Sequence, residues 1–350
     1  ETRPVLIVPD VMDALVTIAR SCRDRLDIPI VGVTGSSGKT TTKEMIASVL
    51  GQRLKVLKTE NNYNNRLGVP LTMFRIGEEH EAAVVEIGIS HFGEMRELGS
   101  VVKPQIAVFT NIGMSHTEAL GDRDGVMSEK SELIKEMPDV GTVIINGDDD
   151  KLAKLRCEQK IVSYGINGGS DVRAENIVLK GTEGAEFDIV SENRKFSAGT
   201  NAYGKHLIYA ALAAASVGIE LGLSDEEIST GIAEYAPLGS RARLVETGII
   251  RVIDDSYNAN PDSLMMAIAS AADMPGRLVC ILGDMFELGE RATELHSECG
   301  AAAKRAGAEL LTVGDMSKSM GGTHFESIEK LLETLPKIIK PGDNVLVKAS

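Results

Sequence analysis

The stretch at residues 30–42, IVGVTGSSGKTTT, decides the fold of the first half of the chain. A short apolar run ends in a glycine-rich turn, which is followed by Lys39 and three threonines. Gly35 and Gly38 allow the open or positive φ angles with which backbone N–H groups converge on a phosphate at a helix start. Lys39 can reach the terminal phosphates of a nucleotide, and the Thr40 hydroxyl can bind Mg²⁺. The stretch therefore predicts a strand, a phosphate-binding loop and a helix.

The loop departs at one position from the most familiar phosphate-loop pattern, because Val33 stands where that pattern has its first glycine. An ordinary corner between a strand and a helix is the alternative. Such a corner needs neither Lys39 nor Thr40 after its last glycine, so these two residues favour nucleotide binding.

The composition predicts a cytoplasmic protein with ample material for a core. The 350 residues predict two domains and allow three, and 43% of them are hydrophobic. A net charge of −14 argues against nucleic-acid or anionic-membrane partners, whose affinity would come from basic patches. No apolar run approaches the roughly 20 residues that span a bilayer. The four cysteines are widely spaced, which indicates reduced thiols, with one catalytic cysteine as the alternative.

Apolar strand-like runs alternate with helical stretches in the first unit, which is typical of a parallel sheet covered on both faces. Its predicted strands are residues 30–33, 82–87, 106–110 and 142–145, and its predicted helices are residues 41–50, 126–136, 206–221 and 225–235. Residues 162–199 differ, because short alternating segments between glycines predict a small antiparallel sheet. Pro237 and Gly239 mark the end of this unit.

A second α/β unit follows that boundary. Its predicted strands are residues 249–253, 278–282, 309–313 and 344–347, and its predicted helices are residues 263–272, 292–306 and 328–335. No glycine fingerprint follows its first strand, so we do not expect NAD binding. The predicted fold is α/β: a central phosphate-loop ATPase domain (28–238), mostly parallel with a small antiparallel subsheet, and a Rossmann-like C-terminal domain (239–350).

Several polar residues follow predicted strands of the first unit. Glu86 ends a buried strand, where an unpaired carboxylate is costly, so it should face a cation. Ligands gather at the carboxyl ends of parallel strands, where Glu86, the phosphate loop and residues 111–116 all fall. His116 is either a metal ligand or a packed loop histidine, and its position beside Glu86 favours the first. Lys130 is not distinguished by the sequence, since most helical lysines are solvated.

Two further features lie at the start of the second unit. Residues 254–261, DDSYNANP, follow a strand and precede a helix, so they form either a capped turn or a ligand-facing loop. Six polar or turn residues exceed the needs of a cap, which favours the ligand-facing loop. Arg241 and Arg243 lie at the domain junction, where a guanidinium could clamp a phosphoryl group or belong to a surface charge pair.

These motifs together resemble the Mur ligase family. The resemblance is carried by TGSSGKTTTKE from Thr34, ENNYNNRLGVPLT from Glu60, VVEIGISHFGEM from Val84, TNIGMSHTEALG from Thr110, NGDD from Asn146, GKH from Gly204, DDSYNANPDS from Asp254 and LGDMFELGERATELH from Leu282. It runs from about residue 11 to the last residue, which falls inside a motif that continues in the family with arginine and glycine. The last two quoted segments point to one branch of the family.

The resemblance implies an ATP-dependent amide-bond ligase of peptidoglycan precursor synthesis. That branch adds D-alanyl-D-alanine to a UDP-N-acetylmuramoyl tripeptide through an acyl phosphate, so the implied partners are small molecules. The implied cofactors are ATP and Mg²⁺, with two metal ions, and we expect a monomer. The lysine matching Lys130 is commonly carbamylated in the family, which turns a cation into an anion able to bind Mg²⁺.

The resemblance also implies roles for individual residues. The implied catalytic residues are Lys39, His116, Lys130, Arg243 and Asp255. The implied metal ligands are Thr40, Glu86, His116 and Lys130. The nucleotide would be bound by Thr34, Gly35, Ser36, Ser37, Gly38, Lys39, Thr40, Thr41 and Asn258, and the substrate by Asn64, Asn65 and His206.

The chain departs from the family pattern in three places. In the family an N-terminal domain holds the UDP-sugar, whereas residues 1–27 resemble only a remnant of it: its last strand, at residues 2–8, and a linker helix. We therefore expect the uridine site to be absent. Leu207 and Ala210 replace asparagines that lie near the adenine in the family, and Arg66 replaces an acidic residue or asparagine.

Two other functions stay open. The same chemistry could act on another substrate, as in a folylpolyglutamate-like ligase, although DDSYNANP and LGDMFELG argue against it. A non-catalytic nucleotide-binding module is favoured by Leu207 and Ala210. It is opposed by the retention of both implied metal sites, since a module without phosphoryl transfer does not need them.

Overall fold

The computed structural model describes residues 5–350 as two β-sheets with helices packed on both faces. The helices are α1 (Val11–Arg23), α2 (Lys39–Leu50), α3 (Gly68–Met73), α4 (Glu94–Val102), α5 (Thr117–Leu120), α6 (Arg123–Ser131), α7 (His206–Glu220), α8 (Asp225–Ala233), α9 (Pro261–Ala272), α10 (Ala292–Arg305) and α11 (Ile328–Ile338). The strands are β1 (Ile30–Thr34), β2 (Val56–Lys58), β3 (Ala82–Glu86), β4 (Ile106–Phe109), β5 (Thr142–Asn146), β6 (Lys160–Gly165), β7 (Val172–Leu179), β8 (Ala185–Val190), β9 (Lys195–Thr200), β10 (Arg243–Glu246), β11 (Arg251–Asp254), β12 (Leu278–Leu282), β13 (Glu309–Val313), β14 (Thr323–Phe325) and β15 (Asn344–Lys348). The predicted α/β class is confirmed.

The first sheet has nine strands in the order β2-β3-β1-β4-β5-β6-β7-β8-β9. Strands β2 to β7 in this order pair in parallel, and β8 and β9 continue the sheet in antiparallel pairs. Strand β1 lies between β3 and β4, so the chain crosses to the other side of β1 on passing from β3 to β4. Such a switch leaves a crevice at the carboxyl ends of the strands, where ligands bind in open α/β sheets.

The strand before the phosphate loop is buried on both faces, as its continuous apolar run predicts. Val31 and Val33 point to one face and pack with α2, α7 and α8, whereas Ile30 points to the other face and packs with α1, α4 and α6. Helix α7 is rich in alanine, and its small side chains let it lie close to both α2 and the sheet. Packing on both faces thus fixes the position of the loop that follows β1.

The second sheet has six strands in the order β10-β11-β15-β12-β13-β14, and only β10 runs antiparallel to its neighbour. Helices α9 and α10 cover one face, and α11 covers the other. Tyr203 belongs to the segment between β9 and α7, yet its ring packs in the core of the second unit. The two units therefore share buried contacts beside the crevice.

The structure differs from the sequence predictions in three details. The antiparallel segment is an extension of the nine-stranded sheet, because β6 and β7 pair in parallel and join it to the rest. The helix predicted at residues 126–136 is α6 followed by the 3-10 helix Glu132–Glu136. Of the strand predicted at residues 2–8, residues 2–4 lie outside the described residues and residues 5–8 form no strand. No helix within residues 5–350 is long and apolar enough to cross a membrane.

We predict that substitutions at two glycines of the phosphate loop lower the free energy of unfolding by different amounts. At Gly38, with φ +76°, an added Cβ meets nothing within 4 Å, so Gly38→Ala should cost only the left-handed backbone, about 1–2 kcal/mol. At Gly35, with φ +149°, a Cβ would lie 1.8 Å from Thr110 Oγ1, which adds an overpacking cost of about 1–3 kcal/mol. Urea unfolding measures both. Equal losses would contradict the close contact, and Thr110→Ala should recover part of the loss in the Gly35 variant only.

Candidate active site

A cavity of about 950 Å³ lies at the carboxyl ends of β1, β3 and β4 and reaches the second unit. The first unit lines it with the phosphate loop, Glu86 and His116, and the second unit lines it with Arg241 and Asp255. The cavity therefore lies where the strand order predicts a ligand site, and both units contribute side chains to it.

The phosphate loop has the conformation that its glycines allow. Gly38 adopts a left-handed conformation and immediately precedes α2, so α2 begins at Lys39. The Lys39 ammonium donates a hydrogen bond to the Gly35 carbonyl at 2.8 Å. Burial lowers the pKa of Lys39, and Arg241 lowers it further, while Glu86 opposes the change. A cation is thus held at the start of a helix, where backbone N–H groups also favour phosphate.

Asn111, two residues after the end of β4, holds the phosphate loop from the side. Its Oδ1 accepts hydrogen bonds from the backbone N–H groups of Ser36 (3.1 Å) and Ser37 (2.9 Å), and its Nδ2 donates to Ser37 Oγ at 2.6 Å. Thr110 donates to the Ser37 carbonyl at 2.6 Å. The sequence analysis placed residues 111–116 at this edge without singling out Asn111. Its position two residues beyond the end of a strand that neighbours β1 is the feature that could have identified it.

Lys43, one turn after Lys39 on α2, supplies the cation that Glu86 requires. Its ammonium lies 3.6 Å from Glu86 Oε2, and the two side chains are only 1% and 2% exposed. It also lies 3.0 Å from Glu44 Oε1 and donates to the Thr59 carbonyl at 2.7 Å. The other Glu86 oxygen accepts a hydrogen bond from Asn64 at 2.8 Å. The carboxylate is therefore fixed in place and borders the cavity.

Lys130 lies behind the cavity wall, and its side chain is 99% buried, in contrast to most helical lysines. Its ammonium nitrogen has no hydrogen-bond partner in the described part of the chain. Burial lowers the pKa of Lys130 well below its ordinary value, and the charge of Lys39 lowers it further, while Glu129 opposes the change. The amine is therefore held in a place that favours its neutral form.

His116 lines the cavity just before α5, and its backbone is strained. Its φ angle is +56°, which is uncommon outside glycine. Burial lowers the pKa of His116, and both Lys39 and Lys130 lower it further, while Glu287 opposes the change. The imidazole Nδ1 lies 2.5 Å from Glu287 Oε2, and the carboxylate favours the protonated form of the ring. His116 thus meets the second unit directly.

The second unit presents Arg241, rather than Arg243, to the cavity. The Arg241 guanidinium lies 3.7 Å from the centre of the Tyr257 ring, and both side chains line the cavity. Arg243 begins β10, is exposed and lies outside the cavity. Between them Ala242 has φ +51°, which turns the chain so that the two arginines point differently. Of the two arginines at the junction, Arg241 is thus the one that lines the cavity in this structure.

Asp255 holds this turn. Its Oδ1 accepts a hydrogen bond from the Ala242 N–H at 3.0 Å, and its Oδ2 accepts one from the Lys348 ammonium at 2.6 Å. Lys348 is 97% buried and also donates to the Asn258 carbonyl at 2.9 Å. Sequence analysis did not identify Lys348, which joins the end of β15 to the loop after β11.

The loop at residues 254–261 is both a capped turn and a wall of the cavity. Asn260 caps α9 by accepting from the Ser263 N–H at 2.8 Å, and its Nδ2 donates to the Ser36 carbonyl at 3.4 Å. Asn258 lines the cavity, and its Oδ1 accepts from the Ala259 N–H at 2.8 Å. The two alternatives left open by the sequence are thus both realised.

The remaining predicted residues divide into two groups. Those that line the cavity are Ser36, Ser37, Gly38, Thr40, Thr41, Asn64, Asn65 and His206. Thr34 and Gly35 lie outside the lining, at the end of β1 and the start of the loop. Asn65 uses its Oδ1 to accept from the N–H groups of Leu67 (3.2 Å) and Gly68 (2.9 Å), which caps α3.

The positions expected near an adenine differ in their surroundings. Leu207 is buried in the core of the first unit, whereas Ala210 borders the cavity. Beside it, Tyr209 lines the cavity and donates to Asp148 Oδ2 at 3.0 Å.

Arg66, also at the cavity, donates to Glu97 Oε2 at 2.8 Å and to Asp13 Oδ1 at 2.6 Å, which ties α1 to α4.

Comparison with models of protein families shows to which family this chain belongs. The model of the Mur ligase middle domain matches residues 33–218, and that of the Mur ligase, glutamate ligase domain matches residues 240–350. The chain belongs to the Mur ligase family. This Mur ligase is 34% identical to the UDP-N-acetylmuramoyl-tripeptide–D-alanyl-D-alanine ligases of Bacillus subtilis (strain 168) and Escherichia coli (strain K12). These matches cover 100% and 99% of the chain and 79% of each relative.

Solved structures agree with this assignment. The crystal structure of MurF from Acinetobacter baumannii matches with a TM-score of 0.94 and 30% identity, over 99% of this chain and 81% of the other. MurF from Thermotoga maritima, solved in complex with ADP, matches with a TM-score of 0.91 and 27% identity, over 100% and 84%. A folylpolyglutamate synthase from Mycobacterium tuberculosis is only 14% identical, with a TM-score of 0.78 over 97% and 92%, and shares the fold.

The buried pair of Lys43 and Glu86 gives a prediction about stability. Lys43→Met should lower the free energy of unfolding by about 3–5 kcal/mol, because it leaves two buried carboxylates without their shared cation. Lys58→Met is the control, since Lys58 also pairs with Glu44 but is 44% exposed, and its loss should cost at most about 1 kcal/mol. Urea unfolding of the two variants measures the difference. Similar small losses would show that Glu86 does not depend on Lys43.

The lowered pKa of Lys130 gives a prediction about pH. The unfolded chain keeps the ordinary value of 10.5, so between the two pKa values the unfolded state binds more protons and stability rises with pH. In buffer free of carbon dioxide, wild type should therefore gain up to about 1.4 kcal/mol per pH unit relative to Lys130→Met as pH approaches 10.5. Urea unfolding at several pH values measures this gain. Lys135→Met, which removes an exposed lysine, is the control. A difference that does not vary with pH would mean that Lys130 stays charged.

Proposed function

We propose that this chain is an ATP-dependent ligase that joins D-alanyl-D-alanine to a UDP-N-acetylmuramoyl tripeptide in peptidoglycan precursor synthesis. One observation carries the proposal: the phosphate loop, Glu86 and His116 line one cavity to which both units contribute, and the buried amine of Lys130 lies close enough to Lys39 and His116 for their charges to interact. The relatives from B. subtilis and E. coli are named for this reaction, and they match nearly the whole chain.

The residues of the chain account for the chemistry of an acyl phosphate route. Lys39 and the start of α2 would bind the terminal phosphates, and Arg241 would approach them from the second unit. The carboxylate of the tripeptide attacks the γ-phosphorus, ADP leaves, and an acyl phosphate forms. The amine of D-alanyl-D-alanine then attacks the acyl carbon and loses a proton as phosphate leaves. Residues from both units would hold the reactants close together and correctly oriented. Such positioning can supply a large part of an enzyme's rate enhancement.

The same residues fit Mg²⁺. Glu86 Oε2 and Lys130 Nζ are both buried without a hydrogen-bond partner among the described residues, which is costly unless a further group binds them, and the His116 imidazole lines the same cavity. With Thr40, these residues would hold two Mg²⁺ ions, which when bound would offset the charge of the phosphates. Within residues 5–350 no three His, Cys, Asp or Glu side chains are grouped to hold a metal. Phosphate oxygens and water would therefore supply the other ligands, as is usual for Mg²⁺.

Carbamylation would give Lys130 the charge that a metal ligand needs. The neutral amine adds to carbon dioxide and releases a proton, which leaves a carbamate anion on Nζ. The buried position of Lys130 supports this step, because it favours the neutral, nucleophilic amine. A carbamate would also convert an unpartnered buried nitrogen into a group with two acceptor oxygens.

We also propose that the protein acts as a monomer in the cytoplasm, and that its domain limits are residues 28–238 and 239–350. The division is supported by the two separate sheets and by family matches that end at residue 218 and resume at residue 240.

The proposed reaction is tested by ADP release. The full-length protein should release ADP only when the UDP-muramoyl tripeptide and D-alanyl-D-alanine are both present. Lys39→Ala should lower kcat by at least about 100-fold, because it removes a cation from the phosphates during transfer. Calorimetry should show weaker Mg-ATP binding in the same variant. Lys135→Ala, which removes an exposed lysine outside the cavity, is the control.

Three results would contradict this proposal in different ways. Turnover with glutamate in place of the dipeptide would favour the folylpolyglutamate-like alternative. Mg-ATP binding without turnover on any of these substrates would favour a non-catalytic module. Equal Mg-ATP binding in wild type and Lys39→Ala would show that the phosphate loop is not the nucleotide site.

A further inference from the structure

Glu287 of the second unit faces His116 of the first across the edge of the cavity. The distance between His116 Nδ1 and Glu287 Oε2 is 2.5 Å, although the residues are 171 positions apart in the sequence. Glu287 lies in the LGDMFELG segment, to which the proposed mechanism gives no role. The side chain of Glu287 is 55% exposed, and that of His116 is 25% exposed, so the pair lies where the cavity opens.

The backbone on both sides of this contact is strained. Glu287 has φ +62° and His116 has φ +56°, and such angles in residues other than glycine cost free energy. They persist only where the surrounding structure holds them, and they occur most often at functional sites. Two strained residues that contact each other across the junction between the units therefore indicate a functional contact.

The segments that carry the two residues are also joined by their backbones. The N–H of Glu118 donates to the Glu287 carbonyl at 3.2 Å, and the Thr117 hydroxyl lies 3.5 Å from the Leu288 carbonyl. These contacts place α5, which begins directly after His116, against the loop that carries Glu287. The side-chain contact is therefore fixed at its base and does not depend on the reach of a flexible glutamate.

A buried histidine fixes the loop from the side of the second unit. His296 is fully buried on α10, and its Nε2 accepts a hydrogen bond from the Met285 N–H at 2.9 Å. Its Nδ1 lies 2.7 Å from the Ala292 carbonyl, so this nitrogen carries the proton and the imidazole is neutral. His296 therefore holds the loop two residues before Glu287.

We propose that Glu287 is a positioning residue that orients His116 as a metal ligand, so that the second unit completes a Mg²⁺ site of the first. A histidine that binds a metal with one ring nitrogen usually gives the proton of its other nitrogen to a carboxylate, which fixes the tautomer and the ring. Here Nδ1 faces the carboxylate, so Nε2 is the nitrogen left for the metal. This inference rests on the proposed function, because it requires a metal at His116.

The inference couples the metal site to the arrangement of the two units. Lys39, Glu86 and Lys130 all belong to the first unit, whereas the carboxylate beside His116 comes from the second. A metal held through an oriented His116 would thus bind more tightly when the units are together. No other metal ligand proposed above contacts the second unit in this way within the described residues.

Metal binding tests this role without relying on turnover. Electron paramagnetic resonance measures the affinity for Mn²⁺, used as a probe for Mg²⁺, in the presence of a non-hydrolysable ATP analogue. Glu287→Gln should weaken the weaker of two Mn²⁺ sites by about 10–100-fold, which is the usual effect of losing such a carboxylate. Glu290→Gln is the matched control, because it removes the same charge from an exposed residue three positions along the loop. Its Mn²⁺ affinity should match that of wild type.

A double-mutant cycle tests whether Glu287 acts through His116. In the His116→Ala background, Glu287→Gln should have no further effect, because there is no ring left to orient. If Glu287→Gln weakens Mn²⁺ binding by the same factor with and without His116, the proposal is wrong. Glu287 would then bind the metal itself or act through another residue. Glu287→Asp keeps the carboxylate and should bind Mn²⁺ more tightly than Glu287→Gln. If the two variants lose the same affinity, the carboxylate is not what matters and the proposal is wrong.

Two failures are distinguishable. If wild type binds two Mn²⁺ ions and Glu287→Gln binds them equally well, the role of Glu287 is wrong and the proposed function stands. If wild type binds fewer than two Mn²⁺ ions with the nucleotide analogue, the two-metal part of the proposed function fails, and the role of Glu287 fails with it.

Discussion

Glu86 and Lys43 lie 3.6 Å apart in a region that water hardly reaches, and this buried pair is the constraint on which the active cavity depends. A carboxylate at the end of a buried strand is tolerated only beside a cation, and the cation must come from an element that packs firmly on the sheet. Helix α2 meets that need, because it begins at the phosphate loop and packs on the sheet beside β3. The loop and the carboxylate are therefore positioned by one helix.

The second unit also contains a buried lysine–carboxylate pair that positions a group of the cavity. Lys348 and Asp255 are paired at 2.6 Å, and this pair holds the left-handed turn at Ala242 that directs Arg241 into the cavity. Burial lowers the pKa of Lys348, while Asp255 opposes the change and favours its charged form. Each unit thus fixes one of its cavity-facing groups through a buried lysine–carboxylate pair, and each lysine is itself outside the predicted site.

The sequence predicts the fold well because strands such as β1, β3, β4 and β12 are continuous apolar runs that end in polar or glycine-containing loops, whereas the antiparallel strands show alternation. It predicts the phosphate loop, Glu86 and His116 for the same reason, since these residues follow strands whose carboxyl ends meet. Arg241 could not be chosen over Arg243 in this way, because the left-handed φ angle of Ala242, just before β10, sets the directions of the two side chains and nothing in the sequence marks that angle. Lys130 could not be distinguished from a solvated lysine, because its burial depends on how α6 packs against the rest of the unit.

Contacts between the units were the least accessible to sequence analysis, because they depend on how two folded surfaces meet. Asp262 accepts a hydrogen bond from the Met114 N–H at 2.6 Å, and Asn260 and Glu287 reach the same unit at Ser36 and His116. Nothing local in the chain marks Asp262 or Glu287, since each also suits an ordinary loop or helix start. The loop after β4 touches the phosphate loop through Asn111 and the second unit through the residues that follow. The second unit therefore contacts the phosphate loop in two ways: directly, through Asn260 and Ser36, and through the loop after β4, which Asp262 and Glu287 reach.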